Sequence, residues 1–192
     1  MRLDREEKRH LLATARRAIE GGLKGRIEPP DPTRAPARLQ RPGASFVTLR
    51  RGGALRGCIG SLEARRPLVL DVFQNALAAA FSDPRFPPLA PEEWPETELE
   101  VSVLSRPEPL AYRGYGDLRA RVGPGMGLVL EHPRGRATYL PEVWATLPDP
   151  DLFLLSLARK AGLPPEVYDD PRTRVLAYTA DAFTERDLEE EP

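Results

Sequence analysis

Residues 55–68 read LRGCIGSLEARRPL and hold the single cysteine of the chain, Cys58, with Gly57 before it and Gly60 just beyond. A thiol does chemistry as the thiolate, and a nearby positive charge favours that form. If 55–60 is a strand, side chains alternate, so Arg56, Cys58 and Gly60 share one side and Leu55, Gly57 and Ile59 the other. The guanidinium would then lie on the thiol's face, and Gly60 would leave room for a ligand to reach the sulfur. The same residues also fit a packed cysteine acting as a small hydrophobe, with the glycines serving close strand packing. Both readings stand at this point.

A nucleophilic thiol calls for a base, and the histidines are His10 and His132. The first reads as a helix-surface residue and the second, beside Pro133, as a solvated turn residue; neither marks a dyad. In LEVSVLS, Leu99, Val101 and Val103 form one face, so Glu100 and Ser102 lie on the other, lining a cleft beside Cys58 or meeting water. Glycines 114, 116, 123, 125 and 127 precede a strand and open no helix, with no Gly-Lys-Ser/Thr. That context fails a phosphate loop and leaves loop flexibility or a hinge. Tyr139 and Trp144 read as core aromatics. No zinc-ligand spacing exists, so no metal is expected, and no cofactor is indicated.

Composition narrows the classes. A chain of 192 residues makes one functional unit, as one core or two lobes. One cysteine allows no internal disulfide, and the charged N-terminus lacks an apolar signal core, so a soluble cytoplasmic protein with no membrane segment is expected. Net charge is −1, yet residues 1–66 carry 16 Lys/Arg against 7 Asp/Glu and the remainder 12 against 22. The arginines of the basic third are scattered and lack an aromatic platform, which argues against nucleic acid. With 22 prolines and one Asn, the chain has the habits of heat-tolerant proteins.

Those residues need elements to hold them. Asp4 and Glu7 form a capping box opening a helix through Leu12, Ala15 and Ile19 to Gly21 and Gly22. Residues 28–44, rich in proline, read as an extended surface connector. SFVTLRRGGALRGCIG reads as two strands turning at Gly52 and Gly53, followed by a helix from about 68 to 81 and the strand at 99–105. GLVLEHPRGRATYLP is a second hairpin, a helix begins at Asp149 and Pro150 and ends at Gly162, and TRVLAYTA is a strand. Hairpin, helix and strand thus occur twice, a ββαβ duplication within an α+β fold of mostly antiparallel sheet.

LRGCIG, DPRFPPL, EVSVLS, ATYLPEV and RKAGL together resemble the AMMECR domain family, in particular members called AmmeMemoRadiSam system protein A, over about residues 5–183. One departure is Ala158, where many prokaryotic members carry a cysteine. The resemblance implies two subdomains with a cleft between them. They are expected as a larger one from 1–60 and 112–192 and a smaller one from 61–111. It implies that Leu55, Arg56, Gly57, Cys58, Ile59 and Gly60 face the cleft, with Arg85 a further candidate, and that Memo-like and radical-SAM proteins are partners. It brings no established reaction. Two functions follow as expectations: substrate binding and modification in the cleft by Cys58, activated by Arg56, or a non-catalytic adaptor or substrate carrier for those partners.

Overall fold

The computed structural model describes residues 3–190. Helix α1 (Arg5–Leu23) opens on the expected capping box: Glu7 N–H donates to Asp4 at 2.9 Å and Asp4 N–H to Glu7 at 3.0 Å. It runs through Gly21 and Gly22 instead of stopping there. A Cβ on Gly22 would stand 2.3 Å from the Phe81 ring, so these glycines let the helix end pack closely. The proline-rich connector is not merely laid on the surface. It holds a short 3-10 turn at Pro32–Arg34 and sends Ala35 and Leu39 into the core, because two apolar side chains gain more from burial than the irregular backbone loses.

Strands β1 (Pro42–Arg51) and β2 (Ala54–Gly60) turn at Gly52 and Gly53, both at positive φ, 56° and 78°, where a side chain would strain the turn. A short β3 (Arg66–Pro67), helix α2 (Leu68–Phe81) and strand β4 (Thr97–Leu104) follow. Next come a short β5 (Glu108–Pro109), helix α3 (Gly114–Arg121), the hairpin β6 (Gly127–His132) and β7 (Gly135–Tyr139), helix α4 (Pro150–Lys160), and strands β8 (Arg174–Tyr178) and β9 (Ala180–Thr184). Helix α5 (Glu185–Glu190) is last. The glycine-rich stretch expected as a loop or hinge therefore contains α3, whose Leu118 is fully buried. One buried apolar anchor outweighs the low helix propensity of glycine.

The sheets are β2-β1-β4-β9, with β3 beside the start of β1, and β5-β8-β6-β7. β1 pairs antiparallel with β2 and β4, and β6 antiparallel with β7 and β8. In each, the first hairpin strand is central and the helix returns the chain to its far side, so the twice-occurring ββαβ order has one strand order. The chain divides into a first unit, residues up to Leu104 with those from Asp181 onward, and a second unit, Ser105–Ala180. This differs from the expected smaller part at 61–111. β4 is hydrogen-bonded to β1 over its whole length and α2 packs on β1, which keeps 61–104 in the first unit.

The first core joins Leu11, Leu12 and Ile19 of α1, Val69 and Val72 of α2, and Val47, Leu49, Leu99 and Val101 of the sheet. The second gathers Phe153, Leu154 and Leu157 of α4, with Trp144 stacked on Phe153 at 4.0 Å. Among the described residues no helix is long and apolar enough to cross a membrane.

Candidate functional site

Cys58 lies on β2, at the edge of the first sheet, and its register partner on β1 is Thr48, whose own partner on β4 is Glu100. Thr48 follows Val47 and precedes Leu49, both fully buried in the core below α1 and α2, so Thr48 belongs to the opposite face. On that face Thr48 Oγ1 donates to Cys58 Sγ at 3.4 Å. Cys58 as a residue is half-buried, unlike a fully buried core cysteine.

The edge of β2 is capped by the segment after α2. Asp83 Oδ2 accepts the Cys58 N–H at 2.9 Å, and Arg85 Nη2 donates to the Cys58 carbonyl at 3.1 Å. Asp83 and Arg85 are themselves joined by two side-chain bonds of 2.9 and 2.7 Å, so the pair grips both backbone groups of Cys58 as a neighbouring strand would. Asp83 is almost wholly buried, 2 % exposed at its side chain, while Arg85 is 53 % exposed. The Arg85 fork and the Cys58 N–H hold the Asp83 carboxyl far below the usual carboxylate range. The Arg85 guanidinium is in turn raised, first by Asp83 and further by the Cys58 sulfur.

The guanidinium that reaches Cys58 is thus Arg85, across 27 residues of chain, and not Arg56 as alternation predicts. The β1–β2 register shifts at one point: Leu49 pairs with Gly57 but Arg50 with Leu55, leaving Arg56 as the extra residue of a bulge. A bulge breaks the alternation that would put Arg56 beside Cys58. Arg56 instead donates from Nε and Nη2 to the two Glu93 oxygens, both at 2.8 Å, and from Nη2 to Pro87 O at 3.0 Å. It is 9 % exposed. Both arginines lie over the Phe86 ring, at 5.8 Å for Arg56 and 5.6 Å for Arg85.

The other residues of the motif divide by face. A Cβ on Gly57 would stand 2.2 Å from Ala79 O of α2, and Ile59 packs against the core, so both serve the helix-facing side. Leu55, before the bulge, is 37 % exposed. Gly60 lies below the Phe46 ring, which a Cβ would meet at 2.2 Å, so its room is taken by Phe46 and not left for a ligand. Ser102 of β4 pairs with Phe46 of β1 and is buried, 3 % exposed, with its Oγ lacking a hydrogen-bond partner among the described residues. Glu100 is half-buried on the same face.

His132 is not the solvated turn residue expected. Its side chain is fully buried, Nε2 lies 3.3 Å from Asp170 Oδ2, and Nδ1 accepts the Arg134 N–H at 3.2 Å. It is bound within the second unit, which also holds Ala158, fully buried in α4. Among the described residues no cluster of three or more His, Cys, Asp or Glu is placed to hold a metal ion. Sequence reasoning missed Asp83, Glu93 and Thr48; DPRF carried the first signal, an acid two residues before an arginine.

The chain is similar to known proteins over most of its length. The AMMECR1 family model matches residues 12–183. A protein of Methanothermobacter thermautotrophicus is 41 % identical over 187 residues, covering 95 % of this chain and 96 % of that one. One of Thermococcus gammatolerans is 43 % identical over 188 residues, covering 91 % and 88 %. The crystal structure of uncharacterized protein PH0010 from Pyrococcus horikoshii is similar to this fold with a TM-score of 0.79 at 38 % identity, covering 91 % of this chain and 89 % of that one.

Proposed function

This chain belongs to the AMMECR1 family, and we propose that it binds a substrate at Cys58 and acts on it through the thiolate. The observation that carries this is the exposed Arg85 guanidinium fixed on Cys58 by its bond to the Cys58 carbonyl and locked in place by Asp83. A half-buried cysteine beside a cation, with a hydroxyl donating to its sulfur, has the surroundings of a reactive cysteine. Such a thiolate attacks without a histidine base, which removes the objection raised by the positions of His10 and His132. Asp83 neutralises part of the guanidinium's field, so the activation is modest. Its role is positioning: it holds Arg85 and the Cys58 backbone in one geometry.

Iodoacetamide alkylation of the folded protein, followed by mass across pH, tests the reading. The expected midpoint lies below the ordinary thiol value of about 8.5. Arg85→Ala moves it upward, while Arg56→Ala, which loses the Glu93 pair and the bond to the Pro87 carbonyl, leaves it in place. A thiol that stays unreactive until the protein unfolds, or a midpoint indifferent to Arg85→Ala, overturns the reading. An adaptor for Memo-like or radical-SAM proteins, with Cys58 packed, would then be the better account.

A further inference from the structure

The helical layer of the first unit holds a cavity of ≈ 500 Å³ that the Cys58 site does not use. One wall is α1, with His10, Thr14 and Arg17; the other is the chain that returns from its end, with Arg26, Glu28 and Pro30. The return is built by glycine. Gly25 reverses direction at φ 67°, and Arg26 N–H donates to Gly21 O at 2.7 Å, an approach that a Cβ on Gly21 would block, standing 2.5 Å from Arg26 O. The rim is fixed further on, where Asp31 accepts the Thr33 N–H at 3.0 Å and pairs with Arg34 at 3.7 Å.

Charge inside this space is left over. Among the described residues, neither the Arg17 nor the Arg26 guanidinium has an ion-pair or hydrogen-bond partner, and neither has the Glu28 carboxylate. Two unspent guanidinium forks on facing walls of a concave site focus positive potential and match a dianionic phosphate, which can accept from both. A bare polyanion would meet Glu28, so the occupant must also carry hydroxyl or amino donors. His10 is held below its ordinary pKa by burial and then by Arg17, and its ring adds hydrogen-bonding capacity to this wall. Phe73, otherwise core at 5 % exposure, and the proline rings supply apolar surface. The volume falls within the range of small-molecule sites.

We propose that this cavity binds an organic phosphate of nucleotide size, its phosphate between Arg17 and Arg26, its hydroxyl or amino groups on Glu28 and its body against Pro30 and Phe73. The site is independent of the thiol reading. The test is titration calorimetry on the full chain with AMP, adenosine and inorganic phosphate as probes. AMP is expected to bind at least tenfold more tightly than either fragment. The Arg17→Ala/Arg26→Ala double variant should lose at least tenfold in AMP affinity, with its circular dichroism and Cys58 alkylation rate unchanged, since both side chains are exposed. No heat with millimolar AMP, phosphate binding as tightly as AMP, or a double variant that binds AMP as well as the native chain each overturns the proposal.

Discussion

Glu93 gathers four donors on one carboxylate: Arg56 at Nε and Nη2, the Ala90 N–H at 2.9 Å and Arg51 Nη1 at 3.5 Å. The Arg56 bonds first, and the Ala90 N–H after them, hold its pKa down to about 2 from an ordinary 4.5. The folded value lies below the unfolded one, so the stability Glu93 contributes is complete above about pH 4.5 and is lost as pH falls towards 2. Denaturant unfolding of Glu93→Gln should show a loss of roughly 1–2 kcal/mol at pH 7 that shrinks towards zero near pH 2. That is less than the shift alone would give, because the carboxylate keeps some contact with water. A gap that does not change with pH would show that the amide fails for steric reasons and not for want of charge. The same residues explain what could be read in advance. Cys58 on a strand with polar company was legible from its neighbours, because alternation is local. That Arg56 turns to Glu93 was not, since a one-residue bulge has no signature in ALRGC, and Arg85 meets Cys58 only through the turn that follows α2.

At the scale of elements, two strands reach their helices through glycine. Gly57 of β2 would carry a Cβ 2.2 Å from Ala79 O, and Gly135 of β7 one 2.2 Å from Ala161 O just past α4. In each unit the second hairpin strand therefore lies against the backbone at the end of the helix that follows it. Gly57→Ala should destabilise by about 3 kcal/mol, seen as a lowered melting temperature, because the obstacle is backbone and cannot swing aside. Gly53→Ala, with open space around its Cβ position, pays only for its positive φ and should lose less. Equal losses would show that turn strain, not the helix contact, sets the cost. Helix α2 is tied to β1 in a second way. Its buried Asp71 accepts from Ser45 N at 2.9 Å, Ser45 Oγ at 2.8 Å and Asn75 Nδ2 at 2.9 Å. Asp71→Ala takes the buried acceptor from the Ser45 N–H and hydroxyl, while Asn75 Nδ2 keeps its bond to Ser45 O at 3.0 Å, and should cost roughly 2–4 kcal/mol in chemical denaturation. A loss below about 1 kcal/mol would mean that water replaces the carboxylate. The capped helices and the hairpin turned by Gly52 and Gly53 were readable because their signals span four or five residues. Helix α3 was hidden because its glycines argue for a loop, and only burial of Leu118 in the second core decides otherwise.

Across the whole molecule, the division of the chain was the least legible feature. The smaller part expected at 61–111 follows from the resemblance to a family, whereas the division seen follows from strand pairing between segments about 50 residues apart, which composition does not record. The second unit leaves the first after Leu104 and returns at Asp181. Its ends are fastened to each other: Ser105 N–H donates to Thr179 O at 2.8 Å, and Thr179 N–H to Ser105 Oγ at 3.0 Å. It has its own sheet, β5-β8-β6-β7, and its own core under α4, where Tyr168 OH donates to Leu154 O at 2.7 Å. A segment of roughly 75 residues with one contiguous core is within the size range that folds alone. Residues 105–180 expressed by themselves should therefore melt cooperatively and disperse their amide resonances. The complementary chain, with 105–179 replaced by a short glycine turn, should keep the alkylation profile of Cys58, since Thr48, Asp83 and Arg85 all lie before residue 105. A segment 105–180 that binds hydrophobic dye and melts without a transition would show that the second core depends on the first. The two ββαβ units would then be one folding unit despite their separate sheets.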